Sequence, residues 1–134
     1  MFELLNDTIT DDNGKYIGSI EAYISDDIEQ LINFCEKSDY FEGEDNFSLS
    51  KYKGSSFGVI SSLLVNKSYR GNGYGDELLD NTIYKMQNSS VDHVFLVADG
   101  IERNNFDITK WYNEVFGFEI IANLNDCPLM VLTF

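Results

Sequence analysis

The chain has 134 residues, of which 43% are hydrophobic and 14% aromatic, so it can bury the core of one folded domain without disulfides or metals. Its 9 basic and 23 acidic side chains give a formal net charge of -14, which excludes nucleic acid as a partner and favours cationic ones, unless the acidity serves only solubility. The two cysteines form no metal-ligand or disulfide pattern, and the chain shows no basic leader or long apolar run, so we expect a metal-free cytoplasmic protein that neither enters nor crosses a membrane.

The first third of the chain predicts a hairpin followed by a helix. Residues 2–5 and 15–24 are rich in aromatic and β-branched side chains, and Asp-Asp-Asn-Gly at 11–14 is typical of a turn between them. Apolar side chains at helical spacing then predict a helix over 26–37, and Ser25 is the expected N-cap.

The rest of the chain predicts a second hairpin, a strand-turn-helix-strand unit and a closing helix with two strands. The expected ranges are strands 47–52 and 57–65, helix 76–88, strand 91–98, helix 106–116, and strands 118–122 and 129–134. We therefore expect a single domain over 1–134, of α/β class in the broad sense. It should hold a mixed sheet of about six strands and about three helices.

A glycine-rich turn, Arg-Gly-Asn-Gly-Tyr-Gly at 70–75, stands between the predicted strand 57–65 and the helix that follows it. Glycines let a chain curl tightly and approach phosphate oxygens, and the first amides of a helix point at such a ligand. Two rival phosphate motifs do not fit, since Asp76 replaces the third glycine of a dinucleotide fingerprint and no Gly-Lys-Ser/Thr follows. The turn predicts a pyrophosphate site, the alternative being a glycine-rich turn with no ligand.

Two segments resemble the GCN5-related N-acetyltransferase (GNAT) superfamily. Residues 63–79 look like its apolar strand end, Arg-x-x-Gly-x-Gly turn and helix, and Asn105, Tyr112 and Gly117-Phe118-Glu119 look like its later, looser motif. Together the segments cover roughly half of the chain. The resemblance implies a GNAT-like central sheet in which two parallel strands splay apart.

The resemblance also implies a site for acetyl-coenzyme A as co-substrate. The amides of Leu64 and Val65 would take the pantetheine and polarise the acetyl carbonyl, the amides of 71–76 would take the pyrophosphate, and Tyr112 would protonate the departing thiolate. The implied cofactor-binding residues are Leu63, Leu64, Val65, Arg70, Gly71, Asn72, Gly73, Tyr74, Gly75, Asp76 and Asn105.

The sequence departs from the family pattern in three places. Tyr112 lies five residues before Gly117 where the family has four, so Asn113 competes for the position of the acid. Residues 59–62 hold no glutamate, so a base must come from Asp99 or Glu102 through water, or the amine must arrive neutral. The predicted hairpin and single helix also replace the two N-terminal helices that frame the family's acceptor site.

These observations support three functional hypotheses. The first is an acetyl-CoA-dependent N-acetyltransferase that acts on a primary amine by direct attack in a ternary complex. The second is a CoA-binding regulatory or interaction module without turnover, and the third is an acidic decoy of a nucleic-acid-binding protein. His93 alternates with buried-strand residues and is interpreted as structural or surface-exposed. Oligomeric state and acceptor identity do not follow from the sequence.

Overall fold

The computed structural model describes residues 2–36, 49–98, 108–124 and 127–134. Within these ranges, seven strands form one sheet, and two longer helices and one short helix accompany them. The strands are β1 Phe2–Leu4, β2 Asp7–Thr10, β3 Tyr16–Ser25, β4 Phe57–Val65, β5 His93–Val97, β6 Glu119–Leu124 and β7 Cys127–Thr133. The helices are α1 Ile28–Glu36, α2 Tyr74–Asn88 and α3 Ile108–Trp111, which continues as a π-helical turn, Tyr112–Phe116, and short 3-10 segments lie at Leu49–Tyr52 and Lys67–Tyr69.

The sheet is mixed, with the strand order β1-β3-β4-β5-β7-β6, and β2 also pairs with β3. Only the β4–β5 pair is parallel among these strands, and α2 makes the crossover between them. The predicted α/β class, mixed sheet and helix number are confirmed, with one strand more than the expected six. No helix in the described part of the chain is long and apolar enough to span a bilayer.

The sheet buries an apolar layer on each face. Side chains alternate along β3, so Ile20 and Ile24 join the cluster that contains Leu79 of α2, whereas Tyr23 packs on the opposite cluster with Leu31 of α1. This alternation is the period expected of a strand buried on both faces. The two faces are called the α2 face and the α1 face below.

Several predicted features differ from the structure. The first hairpin joins β2 to β3 around the expected turn, and β1 adds to the same edge of β3. The expected strand 47–52 is wrong over its described part, because Leu49–Tyr52 is a 3-10 helix. The expected Ser25 cap is also wrong, since the helix begins at Ile28 and the Asp27 carboxylate accepts from the Glu29 amide at 3.0 Å.

The closing helix departs most from the prediction. An α-helix over 106–116 would place Val115 on the same side as Trp111, but Val115 is exposed. Of the described residues 108–116, Ile108–Trp111 is α-helical, and Tyr112–Phe116 is a π-helical turn that Gly117 ends with a φ of 87°. Because a π turn holds an additional residue, the side chains that follow it rotate away from the α-helical face.

Candidate acetyl-CoA site

The parallel strands β4 and β5 separate beyond their fourth residue pair. Their pairing runs from Phe57 opposite His93 to Ile60 opposite Leu96, whereas β4 continues to Val65. Among the described residues, 62–65 of β4 therefore pair only with β3, and no described strand pairs with the other edge of β4 beyond Ile60, which is called the open edge below. This is the splayed pair of parallel strands that the family resemblance implies.

A bulge coincides with the start of the splay. Ala22 lies opposite Ile60 and Glu21 lies opposite Ser62, so Ser61 is the additional residue of β4. Its hydroxyl donates to the Glu21 carbonyl at 3.1 Å. Beyond the bulge, successive side chains of β4 point to the opposite faces from those they would occupy in a regular strand. Leu63 therefore packs on the α2-face cluster, and Leu64 is exposed on the α1 face.

Backbone directions at the end of β4 follow from one hydrogen bond. The Asn66 amide donates to the Ile17 carbonyl of β3 at 2.7 Å, so by alternation the Leu64 amide also points to β3. The amides of Leu63 and Val65 point to the open edge. This geometry favours those two amides, rather than the Leu64 amide, as donors to a ligand in the splay.

The glycine turn opens towards the same edge. Gly71 and Gly73 have φ angles of 83° and 82°, in the left-handed region, and no atom lies within 4 Å of a Cβ built at either residue. Gly73 precedes the first residue of α2, so the amides of residues 74–76 have no acceptor within the helix. Within the described ranges, no hydrogen bond uses the amides of 71–73 either. The turn thus presents consecutive unpaired donors at a helix N-terminus, which suits a phosphate.

Side chains fix the turn from both sides. Asn72 Nδ2 donates to the Tyr69 carbonyl at 3.1 Å, and Arg70 Nε donates to the Val65 carbonyl at 3.0 Å, which lies on the open edge of β4. Tyr69 Oη donates to Asp11 Oδ2 at 3.0 Å, which ties the turn to the β2–β3 hairpin. Hydrogen bonds from the backbone amides of Lys15 and Asn13 lower the pKa of Asp11, and the bond to Asp11 raises the pKa of Tyr69. The turn is therefore preorganised before any ligand binds.

A cleft of about 480 Å³ lies between the glycine turn, the end of β4 and the closing helix. Its volume is within the range of small-molecule sites. Lys67 and Arg70 supply cationic groups to its lining and Asp76 an anionic one. The lining residues are Leu63, Val65, Lys67, Tyr69, Arg70, Gly71, Gly73, Tyr74, Gly75, Asp76, Ile108 and Trp111.

The π-helical turn determines where the proposed acid lies. Tyr112 is 5% exposed and packs on Trp111 and Phe118, with ring centroids 5.0 and 5.9 Å away. Asn113 is exposed, and its Nδ2 donates to the Phe118 carbonyl at 2.8 Å. Of the two candidates it is Tyr112 that lies inward, next to Trp111 of the cleft lining, but Tyr112 itself is not part of that lining.

Three of the expected site residues are not described by the structure, and His93 is described away from the cleft. Asn105 and the possible bases Asp99 and Glu102 fall outside the described residues. His93 pairs with the Thr133 hydroxyl through Nδ1 at 3.0 Å and stacks edge-on against Tyr52 at the far end of β5. In the described ranges, no cluster of three His, Cys, Asp or Glu side chains could hold a metal ion.

The family model described as Acetyltransferase (GNAT) family matches residues 5–118. The chain belongs to the GNAT family of acetyltransferases. No sequence among curated proteins matches it significantly. Membership agrees with a turn, splay and cleft that the described residues bring together at the end of the sheet where β4 and β5 separate.

Solved GNAT structures share the fold at low identity. The PaiA N-acetyltransferase of Thermoplasma acidophilum, solved with coenzyme A, gives a TM-score of 0.62 at 14% identity over 98% of this chain and 62% of that one. The YhbS N-acetyltransferase of Escherichia coli, solved with CoA, gives 0.59 at 16% identity over 98% and 59%. Arabidopsis thaliana Naa50, in complex with the bisubstrate analogue CoA-Ac-MVNAL, gives 0.57 at 21% identity over 91% and 68%.

Sequence reasoning missed several residues of the cleft lining, among them Trp111 and Tyr69. The helical spacing identifies Trp111 only as a core aromatic beside Tyr112. In the structure, its ring faces the glycine turn and lies 3.9 Å from a Cβ built on Gly75. Tyr69 precedes the glycine motif and carries no signature of its own, but it links the turn to Asp11. Neither contact follows from local spacing, because each joins segments that are distant in the chain.

Proposed function

We propose that this chain is an acetyl-CoA-dependent N-acetyltransferase that transfers the acetyl group to a primary amine by direct attack in a ternary complex. The observation that carries the proposal is the open edge of β4 beyond Ile60, which leads directly into a turn of unpaired amides. The family match over 5–118 supports one acetyltransferase domain over 1–134. The cysteine pattern supports the cytoplasm as its compartment.

The turn fits the pyrophosphate of the co-substrate. The amides of residues 71–76 would bind its oxygens, and each hydrogen bond to a charged acceptor contributes about 1.5–3 kcal/mol. Arg70 and Lys67 would offset the negative charge that the ligand brings near Asp76. The open edge of β4 would pair with the pantetheine amides as an additional strand would.

The reaction needs a donor at the carbonyl oxygen and an acid at the leaving sulfur. The Leu63 or Val65 amide would stabilise the oxyanion as the amine attacks, because it is fixed in place and has no partner among the described residues. Tyr112 would protonate the thiolate when the carbon–sulfur bond breaks. A tyrosine of pKa about 10 can supply a proton to such a group only when it is positioned beside it.

The acceptor is proposed to be cationic. A net charge of -14 attracts amines and repels anionic competitors. The peptide-bearing analogue bound to Naa50 supports the view that this fold can hold an acceptor opposite CoA. Peptides and small amines both remain within the proposal, since fold alone does not set the substrate.

The second candidate is a CoA-binding module without turnover. Two observations favour it: Tyr112 lies outside the cleft lining, and 59–62 hold no carboxylate beside the splay. Thiol release from acetyl-CoA with a panel of primary amines separates the two functions. Turnover with any amine supports the enzyme, whereas calorimetric CoA binding without thiol release supports the module.

Absence of CoA binding would remove both candidates. In that case the acidic decoy is the surviving hypothesis, and binding of a basic protein that persists after substitution of Gly71 and Gly73 would support it.

A further inference from the structure

Glu21 is placed on β3 beside the first residues of the splay. Its neighbours in sequence, Ile20 and Ala22, are buried in the α2-face cluster, so the Glu21 side chain points to the α1 face, where it is exposed. It lies opposite Ser62, just beyond Ile60, the last residue of β4 to pair with β5. Adjacent strands lie about 4.8 Å apart, so this carboxylate is one strand removed from the open edge.

The Glu21 side chain is exposed on the α1 face. Within the described ranges, helix α1 covers β3 as far as Tyr23, whose hydroxyl donates to the Gln30 carbonyl at 3.5 Å. Beyond Tyr23 the pairs Glu21–Ser62 and Ser19–Leu64 are half-buried or exposed, and Leu64 is 52% exposed. These four residues, Ser19, Glu21, Ser62 and Leu64, are called the acceptor strip below.

No lysine or arginine in the described part of the chain forms an ion pair with Glu21. The ion pair found among those residues joins Lys110 to Glu114, at the closing helix. A carboxylate that stands unpaired beside an apolar side chain is suited to an ammonium group on an aliphatic stem. The cleft with the glycine turn lies on the α2 face, so an amine on the strip would meet the splay from the opposite side.

We infer that Glu21 binds the ammonium group of the acceptor and acts as the base of the reaction, while Leu64 contacts the acceptor's methylene stem. The inference rests on the proposed function. The ammonium passes one proton to the Glu21 carboxylate, and its nitrogen lone pair forms a bond to the thioester carbonyl carbon. The carbon–sulfur bond then breaks, the sulfur keeps the electron pair and takes a proton from Tyr112, and the second proton of the nitrogen returns to the Tyr112 oxygen through water.

A base on β3 compensates for the absence of glutamate from 59–62. A carboxylate on β4 itself would require a charged residue among Val59, Ile60, Ser61 and Ser62, two of which are buried core positions. The neighbouring strand supplies the carboxylate at the same level instead, and the bulge at Ser61 brings Ser62 into register with it.

The test compares Glu21→Gln and Glu21→Asp with Glu119→Gln, which removes an exposed carboxylate from β6 at the other edge of the sheet. General-base removal typically lowers a rate by about 10²–10⁴-fold. We expect Glu21→Gln to lower kcat/KM for an alkyl amine by roughly 10²–10³-fold and Glu21→Asp to restore part of it. CoA affinity and the Glu119→Gln rates should stay within about twofold of the parent, a change near the resolution of such assays.

Rates measured with a series of acceptor amines distinguish a base from a residue that only supports the fold. The defect of Glu21→Gln should shrink as the pKa of the amine falls from about 10 to about 7, because a less basic amine is already neutral. An equal defect for every amine, or wild-type rates in Glu21→Gln, overturns the assignment while the proposed function stands. Failure of the parent enzyme to release thiol with any amine instead overturns the proposed function, and this inference with it.

Discussion

Gly73→Ala and Gly54→Ala form a matched pair that isolates the ligand role of the glycine turn. Gly73 has a φ of 82° and Gly54 a φ of 88°, and neither has an atom within 4 Å of a built Cβ. Gly54 lies before β4 begins, whereas Gly73 lies beyond the end of β4, in the cleft lining. An alanine therefore meets the same backbone penalty at both positions, but only one position faces the proposed ligand.

The two substitutions should lower stability equally and affinity unequally. A left-handed conformation costs an L-residue about 1–2 kcal/mol, which lowers the melting temperature by roughly 4 °C per kcal/mol in a domain of this size. If Gly73→Ala relaxes its φ, the amides that follow it turn away from the pyrophosphate. Loss of a single amide bond to a charged oxygen, about 1.5–3 kcal/mol, weakens the Kd for CoA by roughly 10- to 150-fold.

Thermal unfolding and titration calorimetry with CoA measure both quantities on the same protein preparations. Gly54→Ala should bind CoA within about twofold of the parent, the limit of resolution for such titrations, despite its lower melting temperature. If the two variants lose stability alike and also lose CoA affinity alike, the loss comes from the fold, and the assignment of the glycine turn as the pyrophosphate site is wrong. Unchanged CoA affinity in Gly73→Ala would refute that assignment as well.

Four further results are expected. Arg70→Ala should weaken CoA binding by roughly 5- to 20-fold, because it removes both a cation of the cleft and the bond to the Val65 carbonyl, and the affinity of Arg70→Lys should fall between those of Arg70→Ala and the parent. The CoA affinity of the parent should rise from low to moderate salt, because salt screens the repulsion between the net charge of -14 and the ligand. A calorimetric affinity that declines steadily with salt would contradict this expectation. Tyr112→Phe should slow thiol release by about 10²-fold with CoA affinity unchanged, since the ring packing on Phe118 is kept; equal rates would remove the acid role. In the folded state, desolvation lowers the pKa of His93 below its ordinary value of 6.5. Stability that is present above pH 6.5, where His93 is neutral, is therefore lost as the pH falls through the folded-state pKa of His93. Melting curves should show this drop in stability, and His93→Gln should flatten it.

Elements with a strong apolar period were predictable from the sequence, and those that depend on a partner were not. Strand 57–65 matches β4 at both ends, because a long β-branched run precedes the glycine turn. Strand β2 contributes little apolar surface beyond Ile9, and its pairing with β3 supplies what its own sequence lacks. Leu49 and Tyr52, both buried, are three residues apart, a 3-10 spacing that strand interpretation overlooks.

The candidate site divides in the same way. The glycine turn is contiguous in the chain, so its residues and its place between β4 and α2 follow from local pattern. The opposite side of the cleft, Ile108 and Trp111, comes from a helix that the chain reaches only after β5. Likewise, Glu21 is recognisable beside the splay only when the register of β3 against β4 is known.

The interval between Tyr112 and Gly117 shows why a family spacing cannot be read as an α-helical one. Counting four residues back from Gly117 reaches Asn113, whose side chain is already used to hold the Phe118 carbonyl. The π-helical turn absorbs the fifth residue, so Tyr112 keeps the inward position and Val115 is displaced to the surface. π turns occur often at functional sites, and this one sets the register of the helix that lines the cleft. The additional residue therefore moves the exposed side of the helix and leaves Tyr112 inward, next to Trp111 of the cleft lining but not itself part of that lining. It is from this position that the proposed acid would have to reach the thioester.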